Sequence, residues 1–99
     1  DMEERYRLII STILNAIGCQ VEVEHMLSTG RIDIVASTSR FIYVVELKLS
    51  NNGGINAAEK QIIDNGYLKP FLADDRKVIG LAVELDDMGK GLIDWKEVQ

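Results

Sequence analysis

Three residues of this 99-residue chain combine type and spacing in a way that could do chemistry: Asp33 in "GRIDIV", and Glu46 and Lys48 in "FIYVVELKLS". The second stretch is mostly apolar, yet it carries two opposite charges two positions apart before it reaches its turn. Two carboxylates brought together inside a half-buried sheet repel and resist desolvation, so an ion, a base or shared protons must offset the cost. Magnesium suits such an all-oxygen pair. It needs one or two protein carboxylates, keeps several waters and then accepts phosphate oxygens. Lys48, on the same strand face as Glu46, stands where an ammonium could hold a phosphate or an attacking water.

The elements that must position these residues are legible in the pattern. "EERYRLIISTILNAIG" spaces Tyr6, Ile10, Ile13 and Ile17 by three and four with Leu14 beside them, which predicts an amphipathic helix stopped near Gly18. Extending that stripe back by one turn sets Glu3 on the apolar side. "QVEVEHML" alternates Val21, Val23, His25 and Leu27 with polar neighbours, and "RIDIVAS" alternates Ile32, Ile34 and Ala36 with Arg31, Asp33 and Val35, so both read as strands. His25 reads as a half-buried strand residue rather than a ligand. The aromatic and β-branched run from Phe41 to Val45 marks a central strand covered on both faces.

Beyond the loop "SNNGG", Asn56 and Glu59 have the spacing of a capping box opening a helix through Ala57, Ala58, Gln61, Ile62 and Ile63. "RKVIGLAVEL" and "GLIDWKEV" read as two further strands, the first parallel to the central one after the crossover helix. Tyr67, Pro70 and Phe71 are expected to pack the connection between helix and strand, and Trp95 is expected to pack rather than stack on bases. The fold class is α/β: one domain over 1–99 with helix, three-stranded meander, crossover helix and further strands.

An even-length turn between the second and third strands, opposing residues whose numbers sum to 77, sets Asp33 against Val44. Asp33, Val44, Glu46 and Lys48 then share one face, and Ile32, Ile34 and Ala36 share the other with Phe41, Tyr43, Val45 and Leu47. On that register Asp33 and Glu46 are diagonal neighbours with α-carbons roughly 7–8 Å apart.

Composition narrows the classes. Sixteen carboxylates against 11 bases give a net charge of −5, which argues against a surface that tracks a nucleic-acid backbone throughout but leaves room for a local basic site. The single cysteine, Cys19, reads as inert packing, and no apolar stretch of membrane-spanning length is present, so a cytoplasmic setting is expected. The chain opens within what reads as a helix, which suggests the C-terminal piece of a longer protein. No P-loop, CxxC pair, HExxH or serine elbow is present.

Asp33 followed by "VELK" resembles the D…(E)xK signature of the PD-(D/E)XK nuclease superfamily, with Ile32 where the pattern's name has proline. The continuation "ELKLSNNGGINAAEKQIIDNGYLKPFLADDRKVIGLAVEL…IDWK" is similar to the nuclease-like domain at the C-terminus of bacterial proteins with an AAA-ATPase-like N-terminal region. The resemblance covers about Glu3 to Lys96. It implies a restriction-endonuclease-like core of αβββαβ order with a mixed sheet of four or five strands. The implied activity is Mg²⁺-dependent hydrolysis of DNA phosphodiester bonds, with Mn²⁺ able to substitute. Asp33, Glu46 and the Leu47 carbonyl would hold the metal, Lys48 would orient or activate water, and Glu3 and Gln61 match the acidic and glutamine positions that border the site. The implied partners are DNA, the AAA-ATPase-like region of a parent protein and a second copy in a homodimer.

The bland reading of the same residues is a structural ion pair at a strand end. At the level of the domain, two rivals fit: a degenerate nuclease fold kept as a binding or regulatory module, and an oligomerisation domain whose last strand pairs with a neighbour. Lys60 and Lys69 read as solvated surface.

Overall fold

The structure is a computed structural model describing residues 1–99. Helix α1 spans Met2–Ala16, followed by strands β1 (Gln20–Leu27), β2 (Gly30–Ser37) and β3 (Phe41–Leu49). Helix α2 spans Gly54–Asp64, and β4 (Lys77–Leu85) and β5 (Leu92–Val98) complete the chain. The five strands form one sheet in sequence order, antiparallel except for the parallel β3–β4 pair that the α2 crossover produces. The expected mixed sheet, its helices and the central place of β3 are therefore all present. No helix is long and apolar enough to cross a membrane.

Each helix covers one face of the sheet. On one side Met2, Tyr6, Ile10 and Leu14 of α1 pack against Ile34, Ala36, Val45, Leu47 and Leu85. On the other, Ala58 and Ile62 of α2 pack with Ile42, Val44, Ala82 and Tyr67. β3 serves both cores by alternation, which is why its apolar run has no polar break before Glu46. Helix α1 begins on Asp1, whose carboxylate accepts from the Glu4 N–H at 2.8 Å, and Glu3 and Glu4 complement the dipole of its first turn.

Several expectations are corrected. The buried stripe of α1 is Met2, Tyr6, Ile10 and Leu14, whereas Ile13 and Ile17 are exposed; α1 lies mainly over β1–β3, so only a narrow stripe finds sheet beneath it. The N-cap of α2 is Gly53, not Asn56. Its capping carboxylate comes from Glu84 on β4, whose Oε1 accepts from the Ile55 N–H at 2.9 Å while Oε2 accepts from the Ser50 hydroxyl at 2.7 Å. Trp95 is 57% exposed rather than packed.

The β2–β3 register also differs: paired residues sum to 79, as in Ile34↔Val45 and Ser37↔Ile42. The Thr38 N–H donates to the Phe41 carbonyl and the Thr38 hydroxyl accepts from the N–H groups of Arg40 and Phe41, so the tight turn centres on Ser39 and Arg40. A shift of two residues preserves which faces β3 residues take. On the same sum Asp33 falls opposite Glu46, one position beyond the last pair, Ile34↔Val45, rather than diagonal to it.

Candidate metal and active site

The site is made by a split in the sheet. β2 and β3 pair only from Ile34↔Val45 to Ser37↔Ile42. Beyond that point β2 stays with β1 as far as Leu27↔Gly30, and β3 stays with β4 as far as Leu49↔Leu85. The two halves therefore part where Asp33 and Glu46 stand. Oδ2 of Asp33 accepts from the Leu47 N–H at 2.8 Å, so a side chain takes over where the main-chain ladder ends.

The parting is accompanied by a change of face. Ile34 and Ala36 pack under α1, as expected, but Ile32 joins the α2-side core, contrary to strict alternation. β1 does the same: Val21 packs on the α1 side and Leu27 on the α2 side. The switch falls at Glu24, which lies between the paired Val23↔Ile34 and His25↔Ile32 and has φ +54°, in the left-handed region that non-glycine residues avoid. Asp33 thus sits at the crossing, open to α1. Arg7 brings a guanidinium nitrogen to 3.9 Å from its Oδ1, and that largely buried Arg7 also pairs with Glu24 at 2.7 Å.

The electrostatics follow from burial. Asp33 is 6% exposed and Glu46 2%. Burial above all, then the negative charge of Asp33, pushes the Glu46 carboxyl up to about 8, against the pull of Lys48. Burial also raises Asp33, opposed first by the Leu47 N–H, then by a hydrogen bond with the Glu46 carboxyl, and then by Arg7 and Lys48. Glu3 on α1 is raised by its own partial burial and then by Asp33, with Lys48, Arg7 and Arg31 pulling the other way. The four acidic and basic expectations Glu3, Asp33, Glu46 and Lys48 therefore lie within electrostatic reach of one another, with Arg7 and Arg31 beside them.

Two features fit this site to a divalent cation. Oε1 of Glu46 is buried and no donor of the protein reaches it. A buried carboxyl oxygen without a partner costs about 1–3 kcal/mol, more when charged, and a cation shared with Asp33 would satisfy it. The donors are hard oxygens, as magnesium or manganese prefers. No group of three His, Cys, Asp or Glu side chains that could hold a metal gathers in the chain, so Glu3 does not close a three-ligand set with Asp33 and Glu46. Lys48 is half-buried on β3 and takes part in none of the ion pairs, leaving its ammonium available beside the acids.

Gln61 makes a different kind of connection. Its amide donates to the hydroxyl of Tyr67 at 3.1 Å, and that hydroxyl also accepts from the Arg31 N–H and donates to the Arg31 carbonyl, both at 3.2 Å. Tyr67, fully buried, thereby ties the end of α2 to the strand two residues before Asp33. Arg7, Glu24 and the Tyr67 hydroxyl were not anticipated as part of this neighbourhood. The sequence offers only a weak cue for Arg7, that it stands one helical turn after Glu3. His25 packs its ring on Phe71 and bonds Glu22, away from any ligand role, while Cys19 packs at the edge of the α1-side core.

A mixed sheet covered by one helix on each face, and split where an aspartate meets the glutamate of a Glu-x-Lys strand, is the restriction-endonuclease-like architecture. The family model of the PD-(D/E)XK nuclease superfamily matches residues 1–95, and the chain belongs to that superfamily. Among curated proteins the chain has no match.

Proposed function

We propose that this domain is a divalent-cation-dependent nuclease that hydrolyses DNA phosphodiester bonds at the split between β2 and β3. The observation that carries the reading is the buried, unpartnered Oε1 of Glu46 beside Asp33, with the unpaired Lys48 on the same strand. Asp33 and Glu46 would hold Mg²⁺ or Mn²⁺, and the carbonyl of Leu47, next to Glu46 in the chain, would be a further ligand. The bound cation supplies charge on the scissile phosphoryl group and makes a nearby water more acidic.

The chain's own residues do the rest. The Leu47 N–H fixes the Asp33 carboxylate, so its free oxygen has a defined direction. Glu46 must give up its proton to become a ligand. Lys48 faces the charge that builds on the phosphoryl oxygens as a water attacks in line, and it orients that water. Glu3, within electrostatic reach of Asp33 and Lys48, would help orient the water. Gln61 lines the border through Tyr67. Lys48, outside the ion pairs, offers the phosphate a positive charge, and Arg7 and Arg31 stand nearby with Glu24.

The sequence resemblance supports placing this domain in a longer cytoplasmic protein beside an AAA-ATPase-like region, with a homodimer as its assembled form. A second reading, a degenerate fold kept as a binding or regulatory module, is favoured by Arg7, which already brings positive charge to Asp33 without a metal. Cleavage of mixed DNA substrates with Mn²⁺ separates the two when the natural chain is compared with Lys48→Ala. Activity lost in the variant supports the nuclease. Equal cleavage by both identifies a contaminant and removes the mechanism.

A further inference from the structure

β5 is one of the two outer strands of the sheet, the other being β1, and six of its seven residues are exposed. Trp95 pairs with Val83, which packs into the core beneath α1, so the indole lies on the α1 side of the sheet. α1 lies mainly over β1 to β3 and reaches β4 only at the edge of its core, so that side of β5 stays exposed. The Trp95 N–H finds its acceptor not in β4 but in Oδ1 of its own neighbour Asp94, at 2.8 Å. The main chain of Trp95 therefore faces the open edge, with a side chain filling in for a missing strand.

We infer that β5 pairs with β5 of a second copy of this chain, antiparallel, about a two-fold axis through Trp95, joining two five-stranded sheets into one. The register follows from symmetry and charge. A two-fold axis perpendicular to the sheet keeps the α1 sides together, so opposed residues must have the same parity and the axis must pass through a residue. Centred on Asp94, that residue would meet its own copy, and centred on Lys96 two ammonium groups would meet. Centred on Trp95, Asp94 of each strand opposes Lys96 of the other, twice, and the two indoles stand face to face on the uncovered side. The Trp95 N–H then gains the Trp95 carbonyl of the second copy, which releases Asp94 for Lys96. Lys96 now bonds Glu59 at 2.9 Å and has donors to spare for both carboxylates. The charges that protect this edge against other neighbours select this one.

The test is the mass in solution by light scattering, well above micromolar concentration. The natural chain should run at twice its 11.1 kDa. Asp94→Lys and Lys96→Asp should each halve the observed mass while circular dichroism shows the fold retained. The double variant, in which the two charges exchange places, should restore it. A monomeric natural chain overturns the inference. So does a dimer that survives both single changes, which would put the contact on another surface, and so does failure of the exchange to restore pairing.

Discussion

The main-chain N–H of Leu47 donates to Oδ2 of Asp33 at 2.8 Å, across the point where β2 and β3 stop pairing. This one bond holds an acid from one half of the sheet against the strand that carries Glu46 and Lys48. It leaves Oδ1 of Asp33, which faces Arg7, and the unpartnered Oε1 of Glu46 to share whatever charge the site takes up.

Without a cation the pair should make stability fall as pH rises. Both carboxyls titrate above their ordinary range in the fold, so the folded chain keeps protons that the unfolded chain releases. The stabilisation is fully present below the ordinary glutamate value of 4.5 and is lost as pH climbs through about 8. Each pH unit of that window is worth up to about 1.4 kcal/mol. Urea midpoints measured in the presence of a chelator should show the slope, and Glu46→Gln should flatten most of it and be the more stable form at the alkaline end.

Tyr67→Phe should cost on the order of 1 kcal/mol, because it removes the part-buried hydrogen bonds of its hydroxyl to the Arg31 main chain and the amides of Gln61 and Asn65. Hydrogen exchange should locate the loosening at the start of β2. Loss of stability without that local change would mean that the hydroxyl does not anchor the strand.

Gly54→Ala should be damaging although it adds one methyl group. Gly54 has φ +58°, and a Cβ there would stand 2.5 Å from Oε1 of Glu84. The backbone strain alone is worth about 1–3 kcal/mol, and the carboxylate that caps α2 would be displaced. Chemical denaturation reads the effect, and a neutral substitution would contradict the capping role given to Glu84.

Lys48→Met should leave cation affinity nearly intact while lowering DNA cleavage by about 10²–10³-fold, as removal of a charge that acts on the transition state does. Calorimetry and a cleavage assay on the same preparation separate the two effects. Parallel loss of both would make Lys48 part of the cation site instead.

What could be read in the sequence was what depends on local period. Glu46 and Lys48 stood out because they interrupt an apolar run, and Asp33 because parity relates it to them. The unread part depends on contacts between distant residues. The Thr38 hydroxyl moved the turn and set Asp33 opposite Glu46 rather than diagonal to it; nothing in the spacing alone distinguishes sums of 77 and 79. The split itself rests on a side chain bonding a main-chain N–H 14 positions away and on the positive φ of Glu24. Asn56 looked like a cap because local spacing cannot show that Glu84, 29 residues beyond Ile55, supplies the carboxylate. Ile13 and Ile17 looked buried because periodicity does not reveal how little of the sheet α1 covers.

The most direct measurement is a calorimetric titration of the chain with Mn²⁺ or Mg²⁺ in buffers of different ionisation enthalpy, with melting followed in parallel. The two-acid site predicts one ion per chain, a rise in melting temperature, and release of up to one proton, from Glu46, below about pH 8. Asp33→Asn and Glu46→Gln should each abolish all three. Absence of binding in the natural chain, or binding that both variants retain, would contradict the account.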